Sequence, residues 1–235
     1  MNNQYFGDVH DFRKYGLIRA LTGPGELSVL IAWMLTADDD KPVRAQRDYL
    51  HQPDKWRKYD EPLFDFLSNT IDAGITPSVR LIEHSSILPR ASFFSEIVPD
   101  GRADREVWSK QLIKEASGAD LVFLDPENGT EIKSRPVGHR NSSKYVLWFE
   151  IEQLWKAGSS LLIFQFKKRE KTSITIDRLG KELRQHTGAD FVIAINTKNV
   201  IYFLLAQPKH RNIFKKNIED RLKRWDDQFE VIGLV

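Results

Sequence analysis

Apolar residues fall into short runs separated by polar stretches of helical character. LSVLIAWML (27–35), ADLVFLDP (119–126) and SSLLIFQF (159–166) are nearly continuous apolar runs, as expected of strands covered on both faces. PSVRLIEH (77–84) and ASFFSEIV (91–98) alternate more and predict strands with one wetter face. ADFVIAI (189–195) and NVIYFLLA (199–206) are joined by a short polar link, which predicts an antiparallel hairpin, and FEVIGLV (229–235) predicts a last strand.

Helices are expected between them, at FRKYGLIRAL (12–21), EPLFDFLSNTI (61–71) and DREVWSKQLIKEA (104–116). SKYVLWFEIEQLWKAG (143–158) predicts a further helix, with Ser143 as its N-cap, Gly158 as its stop and its aromatic residues in the core. ITIDRLGKELRQHTG (174–188) and the basic RNIFKKNIEDRLKRW (211–225) complete the set. This order predicts a three-layer α/β fold whose sheet is mostly parallel, with a late antiparallel hairpin. It suits the Rossmann-like methyltransferase type of sheet, in which one antiparallel strand lies between the last two parallel ones. A chain of 235 residues suits one domain, here with a helical N-terminal segment (about 1–25) and a partly helical insertion (about 38–75).

Composition narrows the chemistry. With no Cys, thiol nucleophiles and Cys-ligated zinc are excluded. The N-terminus lacks the apolar core of a signal peptide and no window reaches the length of a membrane span, so a cytoplasmic protein is expected. A net charge of +2 is no footprint for indiscriminate nucleic-acid binding, but KKREK (167–171), HRNSSK (139–144) and KHRNIFKK (209–216) are locally basic. Such loops either follow a phosphate backbone or are simply solvated.

Candidate chemistry gathers where apolar runs end. After LVFL come Asp125, Pro126, Glu127, Asn128 and Gly129, at the carboxyl end of a predicted buried strand, where open α/β sheets carry their sites. Pro126 ends the strand and Gly129 permits a positive-φ turn. The Asp125 carboxylate and the neighbouring carbonyls could then accept from an amine or hold a metal, or the stretch could be an ordinary turn. In YFGDVHDFRKYG (5–16), Asp8, His10 and Asp11 could bind a metal, Asp11 and Lys14 could face a cofactor from one helix turn, or Asp8 or Asp11 could cap a helix. Glu83 closes a predicted strand, where an acid can take ribose hydroxyls. Gln165-Phe166-Lys167 could imitate the lysine arm of a metal-dependent endonuclease, with Asp120 or Asp125 as the metal acid. No GxGxxG, GxxxxGK[ST], GxSxG or HExxH motif is present.

These residues together resemble the methyltransferases that modify an adenine of large-subunit ribosomal RNA. Gly7-Asp8-Val9-His10-Asp11-Phe12-Arg13-Lys14-Tyr15 is similar to that family's Gly-Asn-x-x-Asp-x-x-Lys-His segment, and LVFLDPEN (121–128) falls on its Leu-Ile-Asp-Pro-Pro-Tyr motif. The order of segments is kept over roughly residues 1–205, and the chain also resembles a group of uncharacterised bacterial proteins with the same two signatures. The resemblance implies a Rossmann-like fold, S-adenosylmethionine as cofactor and a nucleic-acid base as substrate. Asp125 and the Pro126 carbonyl would orient an exocyclic amine, Asp8, Asp11, Lys14 and Glu83 would face the cofactor, and Lys144, Lys167, Lys168 and Arg169 would lie near phosphates. Two departures stand out. Glu127 and Asn128 replace the second Pro and the stacking aromatic, for which Phe164 or Phe166 could substitute. Met34-Leu35-Thr36-Ala37 replaces the glycine-containing cofactor loop, with Asp38 to Asp40 nearby. Two alternatives remain: a Mg²⁺-dependent nuclease or phosphohydrolase using Asp125, Glu127, Asp8 and His10, and a non-catalytic binding module.

Overall fold

A computed structural model describes residues 3–36, 45–225 and 227–234. In chain order its elements are α1 (Val9–Thr22), β1 (Val29–Ala32), α2 (Pro53–Trp56), α3 (Glu61–Asp72), α4 (Arg80–Glu83), β2 (Ala91–Phe94), α5 (Arg102–Glu115) and β3 (Leu121–Leu124). There follow β4 (Gly129–Thr130), β5 (Tyr145–Val146), α6 (Trp148–Lys156), β6 (Ser160–Phe166), α7 (Thr172–Thr187), β7 (Val192–Asn196), β8 (Val200–Leu205), α8 (Arg211–Asp220) and β9 (Glu230–Leu234).

Seven strands form one sheet in the order β2-β1-β3-β6-β8-β7-β9, while β4 and β5 pair separately. β2, β1, β3 and β6 are mutually parallel, and β8 runs antiparallel to both β6 and β7. The hairpin strand β8 therefore inserts between two parallel neighbours, and β9 adds an antiparallel edge beside β7. Thr197 closes the hairpin turn, its hydroxyl accepting from Val200 N–H and donating to Val200 O.

Alternate residues of β1 enter different cores, which is why the run reads as continuously apolar. Val29 and Ile31 join Phe12, Leu17, Leu63 and Phe214 on the face covered by α1, α3 and α8. Leu30 and Ala32 join Trp108, Ile151, Leu154 and Leu179 on the face covered by α5, α6 and α7. The result is a three-layer, Rossmann-like α/β sandwich. Among the described residues no helix is long and apolar enough to cross a membrane.

Two expected elements differ. Residues 77–84 hold the short helix α4 rather than a strand. Val79 and Ile82, three apart, are the buried positions, and the Ser78 hydroxyl accepts from Arg80 N–H to start the turn. The helix expected from Ser143 begins only at Trp148. Ser143 N–H and Asn141 N–H are drawn onto the Asp100 carboxylate at 2.7 and 2.8 Å, so this stretch becomes a 3-10 turn followed by β5. The helix is capped instead by Glu150, whose carboxylate accepts from Leu147 N–H at 2.9 Å. Tyr145 is buried on β5, Phe149 is exposed, and Trp148 stacks on His186 at 4.4 Å, so the aromatic residues of this segment do not all enter the core. Part of the expected insertion, residues 38–44, lies outside the described residues.

Candidate functional site

β3 is the central delivery strand. Asp125 N–H still pairs with Ala32 O at 3.0 Å, and Pro126 then ends the ladder because it has no N–H to donate. The next turn is clamped by Gln165 of β6. Its amide nitrogen donates to Asn128 O and Phe166 O, both at 3.0 Å, and its amide oxygen accepts from Thr130 N–H at 3.0 Å. Gly129 has φ 118°, and a Cβ there would stand 2.2 Å from the Gln165 side-chain oxygen. Both the turn and the clamp therefore require glycine at this position.

α1 supplies the other wall. Asp8 caps the helix, its carboxylate accepting from His10 N–H at 2.8 Å and Asp11 N–H at 2.9 Å. One turn on, Lys14 reaches the end of β3 and places its ammonium 2.7 Å from Asp125 Oδ2 and 3.0 Å from Asp11 Oδ1. Asp11 also accepts from Gly7 N–H at 3.1 Å. Asp8, Asp11, Lys14 and Asp125 are each no more than 4% exposed.

Two buried carboxylates thus share one buried ammonium, with the carboxylate of Asp8 on the same helix end. Burial pushes the Asp11 carboxyl up to about 6, against the pull of Lys14 and with the help of Asp8. Burial raises Asp8 as well, opposed by the Asp11 N–H and by Lys14. Burial works to lower the Lys14 ammonium, but Asp11 and Asp125 outweigh it and hold the group protonated. His10 is lowered, by burial first and then by Arg13 and Lys14, so it stays neutral at physiological pH.

The cluster forms the floor of a cleft of about 380 Å³, together with Pro126, Glu127 and Asn128. Phe164 and Phe166 line the cleft on a further side, and Phe166 is 47% exposed. Glu127 is half-buried, its carboxylate accepting from Lys144 Nζ at 2.8 Å and Thr36 Oγ1 at 3.2 Å.

The residues expected to serve a site therefore divide. Asp8, His10, Asp11, Lys14, Asp125, Pro126, Glu127 and Asn128 converge on the cleft, and Lys144 reaches it through Glu127. Glu83 does not line it. It sits on α4, half-buried, accepting from Trp33 Nε1–H at 2.8 Å and from the Ser95 hydroxyl. Trp33 and Ser95 directly follow β1 and β2, so Glu83 still stands at the carboxyl edge. Lys167 donates to Thr197 O, Lys168 lies 5.8 Å over the Tyr145 ring, and Arg169 is exposed. Asp38 to Asp40 lie outside the described residues.

A Mg²⁺ site at Asp8, His10, Asp125 and Glu127 is not assembled. Asp8 is committed to the helix cap, Asp125 to Lys14 and Glu127 to Lys144. Among the described residues no three His, Asp or Glu side chains are grouped to hold a metal ion. Asp120, the other candidate metal acid, lies at the opposite edge of the sheet from Lys167. There it accepts from Ser28 N–H at 2.9 Å and pairs with His210 Nε2 at 3.2 Å, while His210 Nδ1 meets Ser160 Oγ at 2.9 Å. This Ser-His-Asp chain looks like a hydrolase triad, but Ser160 is fully buried and its Oγ accepts from Gln207 N–H, so it ties the amino edge together.

Lys14–Asp125 and the Gln165 clamp escaped sequence reasoning, since their partners lie 111 and 35 residues apart. No protein-family model matches the chain, and no curated protein matches it.

Proposed function

We propose that the chain is an S-adenosylmethionine-dependent methyltransferase whose target is an exocyclic amine of a nucleic-acid base, bound in the cleft at the end of β3. The observation that carries this reading is the Lys14–Asp125 pair. A buried ammonium at 2.7 Å fixes the direction of the Asp125 carboxylate, immediately before the Pro126 carbonyl, on the floor of a cleft with aromatic rings on one wall. A carboxylate and a carbonyl side by side are two acceptors for the two hydrogens of an amine. With both N–H bonds engaged, the nitrogen lone pair is left pointing away from the floor, ready to attack a methyl group in line. Phe166, 47% exposed, is the surface on which an extruded base would stack.

Two features fit the cofactor, which when bound supplies an electrophilic methyl group. Glu83 stands beyond the ends of β1 and β2, where an acid can take ribose hydroxyls. The floor carries Asp8, Asp11 and Asp125 against Lys14 alone, which favours a cationic ligand. Trp33 and Met34, both fully buried, stand where glycines would let a cofactor touch the backbone, so it would pack on side chains here. Met34 has φ 46°, a left-handed backbone that costs about 1–3 kcal/mol in a non-glycine residue and commonly marks a site.

Calorimetric titration with S-adenosylmethionine tests the reading. Saturable binding is expected in the wild type, and weaker binding is expected in Glu83→Gln and, through the lost floor charge, in Asp125→Asn. Absence of binding to the folded wild type would refute it.

A further inference from the structure

Within the proposed amine site, Glu127 carries information about which base is bound. Bases with an exocyclic amine differ in the atom beside it. In adenine and cytosine the adjacent ring nitrogen (N1 and N3) is an acceptor, whereas in guanine it is the N1–H donor, followed by the O6 acceptor. A carboxylate next to the amine grip repels the first two edges and welcomes the third.

The cleft holds such a carboxylate. Asp125, Pro126 and Glu127 are consecutive on one turn and line the same cleft. Asp8 is spent on the α1 cap and Asp11 on Gly7 N–H and Lys14, while Asp125, the amine acceptor, meets Lys14 through Oδ2. Glu127 differs from these three in being only half-buried, with 36% of its side chain exposed. Lys144 Nζ sits 2.8 Å from its Oε1 and is 26% exposed, so a donor stands directly beside the acceptor. Asp125 with Pro126, then Glu127, then Lys144 make acceptor, acceptor, donor. The guanine edge reads N2–H, N1–H, O6: donor, donor, acceptor. Glu127 Oε1 accepts from Lys144 Nζ and Oε2 from Thr36 Oγ1, so the carboxylate presents acceptor atoms, which match guanine N1–H and not adenine N1 or cytosine N3.

We infer that the cleft selects guanine, with Glu127 and Lys144 as its specificity-determining residues and the 2-amino group presented to Asp125 and Pro126. This rests on the proposed amine site but departs from the adenine that the family resemblance implied. The departure lies at the position where Glu127 replaces a proline. The rival reader in the same cleft is Asn128, since an Asn amide can pair bidentately with adenine.

Fluorescence anisotropy with short single-stranded thymine tracts carrying one central guanine, adenine or cytosine tests this without requiring turnover. Guanine is expected to bind roughly tenfold or more tighter than adenine or cytosine. Hypoxanthine, which lacks the 2-amino group, and 2-aminopurine, which lacks N1–H and O6, should each lose most of that margin. Glu127→Gln, whose fold is checked by its melting curve, should erase the preference, and Lys144→Met should reduce it. Preference for adenine or cytosine, a guanine preference that survives Glu127→Gln, or no binding to any tract would overturn the inference. None of these outcomes bears on cofactor titration, so a methyltransferase that reads adenine through Asn128 remains distinguishable from a protein that binds no cofactor at all.

Discussion

Among the described residues, two buried ion clusters are built to opposite rules. On the α5–α6 side of the sheet, Arg105 and Glu150 are both at most 1% exposed and meet in a fork, Nε to Oε1 at 2.7 Å and Nη2 to Oε2 at 2.8 Å. Their remaining valences are filled by Ser109, Leu147 N–H and Tyr145 O, and one cation faces one carboxylate. At the end of β3, Lys14 faces Asp11 and Asp125 with Asp8 nearby, and a cleft opens beside them. The first cluster is closed and balanced, and it anchors the segment carrying Lys144 and β5. The second is over-supplied with negative charge and open on one side, as the proposed function requires of a group arranged for a ligand rather than for stability.

Removing one partner from the balanced cluster should have the largest effect. Arg105→Met leaves a fully buried, uncompensated Glu150 and should cost about 3–5 kcal/mol in urea unfolding. The double variant Arg105→Met with Glu150→Leu should recover most of this loss, which would confirm that the pair is structural.

Lys14→Met should cost about 3 kcal/mol at pH 8, and that cost should shrink toward pH 5 as the carboxylates left behind take up protons. A pH-independent cost would mean that Lys14 acts through packing alone.

Asp11→Asn should move stability the other way. The folded-state pKa of Asp11 is raised, from 3.8 to about 6, so between those values the native state binds more protons than the unfolded one. Stability then falls as pH rises through that window. Replacing Asp11 by Asn should therefore stabilise the protein by about 1–3 kcal/mol at pH 8 and by nothing near pH 3. Urea midpoints measured across that range check the sign.

The smallest effect on stability, within about 0.5 kcal/mol, is expected for Phe166→Ala at the exposed cleft wall. Oligonucleotide binding should nonetheless weaken by the equivalent of about 1–3 kcal/mol of lost stacking. Unchanged oligonucleotide affinity would remove Phe166 as the stacking surface.

The same contrast explains how much of the molecule could be read from its sequence. β1, β3 and β6 were legible because burial on both faces leaves no polar position to confuse the pattern, and the β7–β8 hairpin because its polar link is short. The α4 segment was not, since Val79 and Ile82 satisfy a helical spacing while the same stretch also alternates. The start of α6 was displaced by Asp100, some forty residues away in sequence, whose carboxylate no local pattern connects to Ser143. Asp125, Pro126, Asp11 and Lys14 stood out as candidates, but the Lys14–Asp125 contact did not, because a lysine on a helix reads as solvated until the fold buries it. Arg105 and Glu150 were hidden for the same reason, on helices rich in exposed charge.

Transfer of an isotopically labelled methyl group from S-adenosylmethionine to single-stranded RNA or DNA tests the central claim most directly. Label should enter base amines with the wild type and fall at least a hundredfold, roughly the loss of one oriented polar contact in a transition state, in Asp125→Asn of unchanged melting temperature. Label incorporation that persists in Asp125→Asn, or none with a wild type that binds the cofactor, would contradict it.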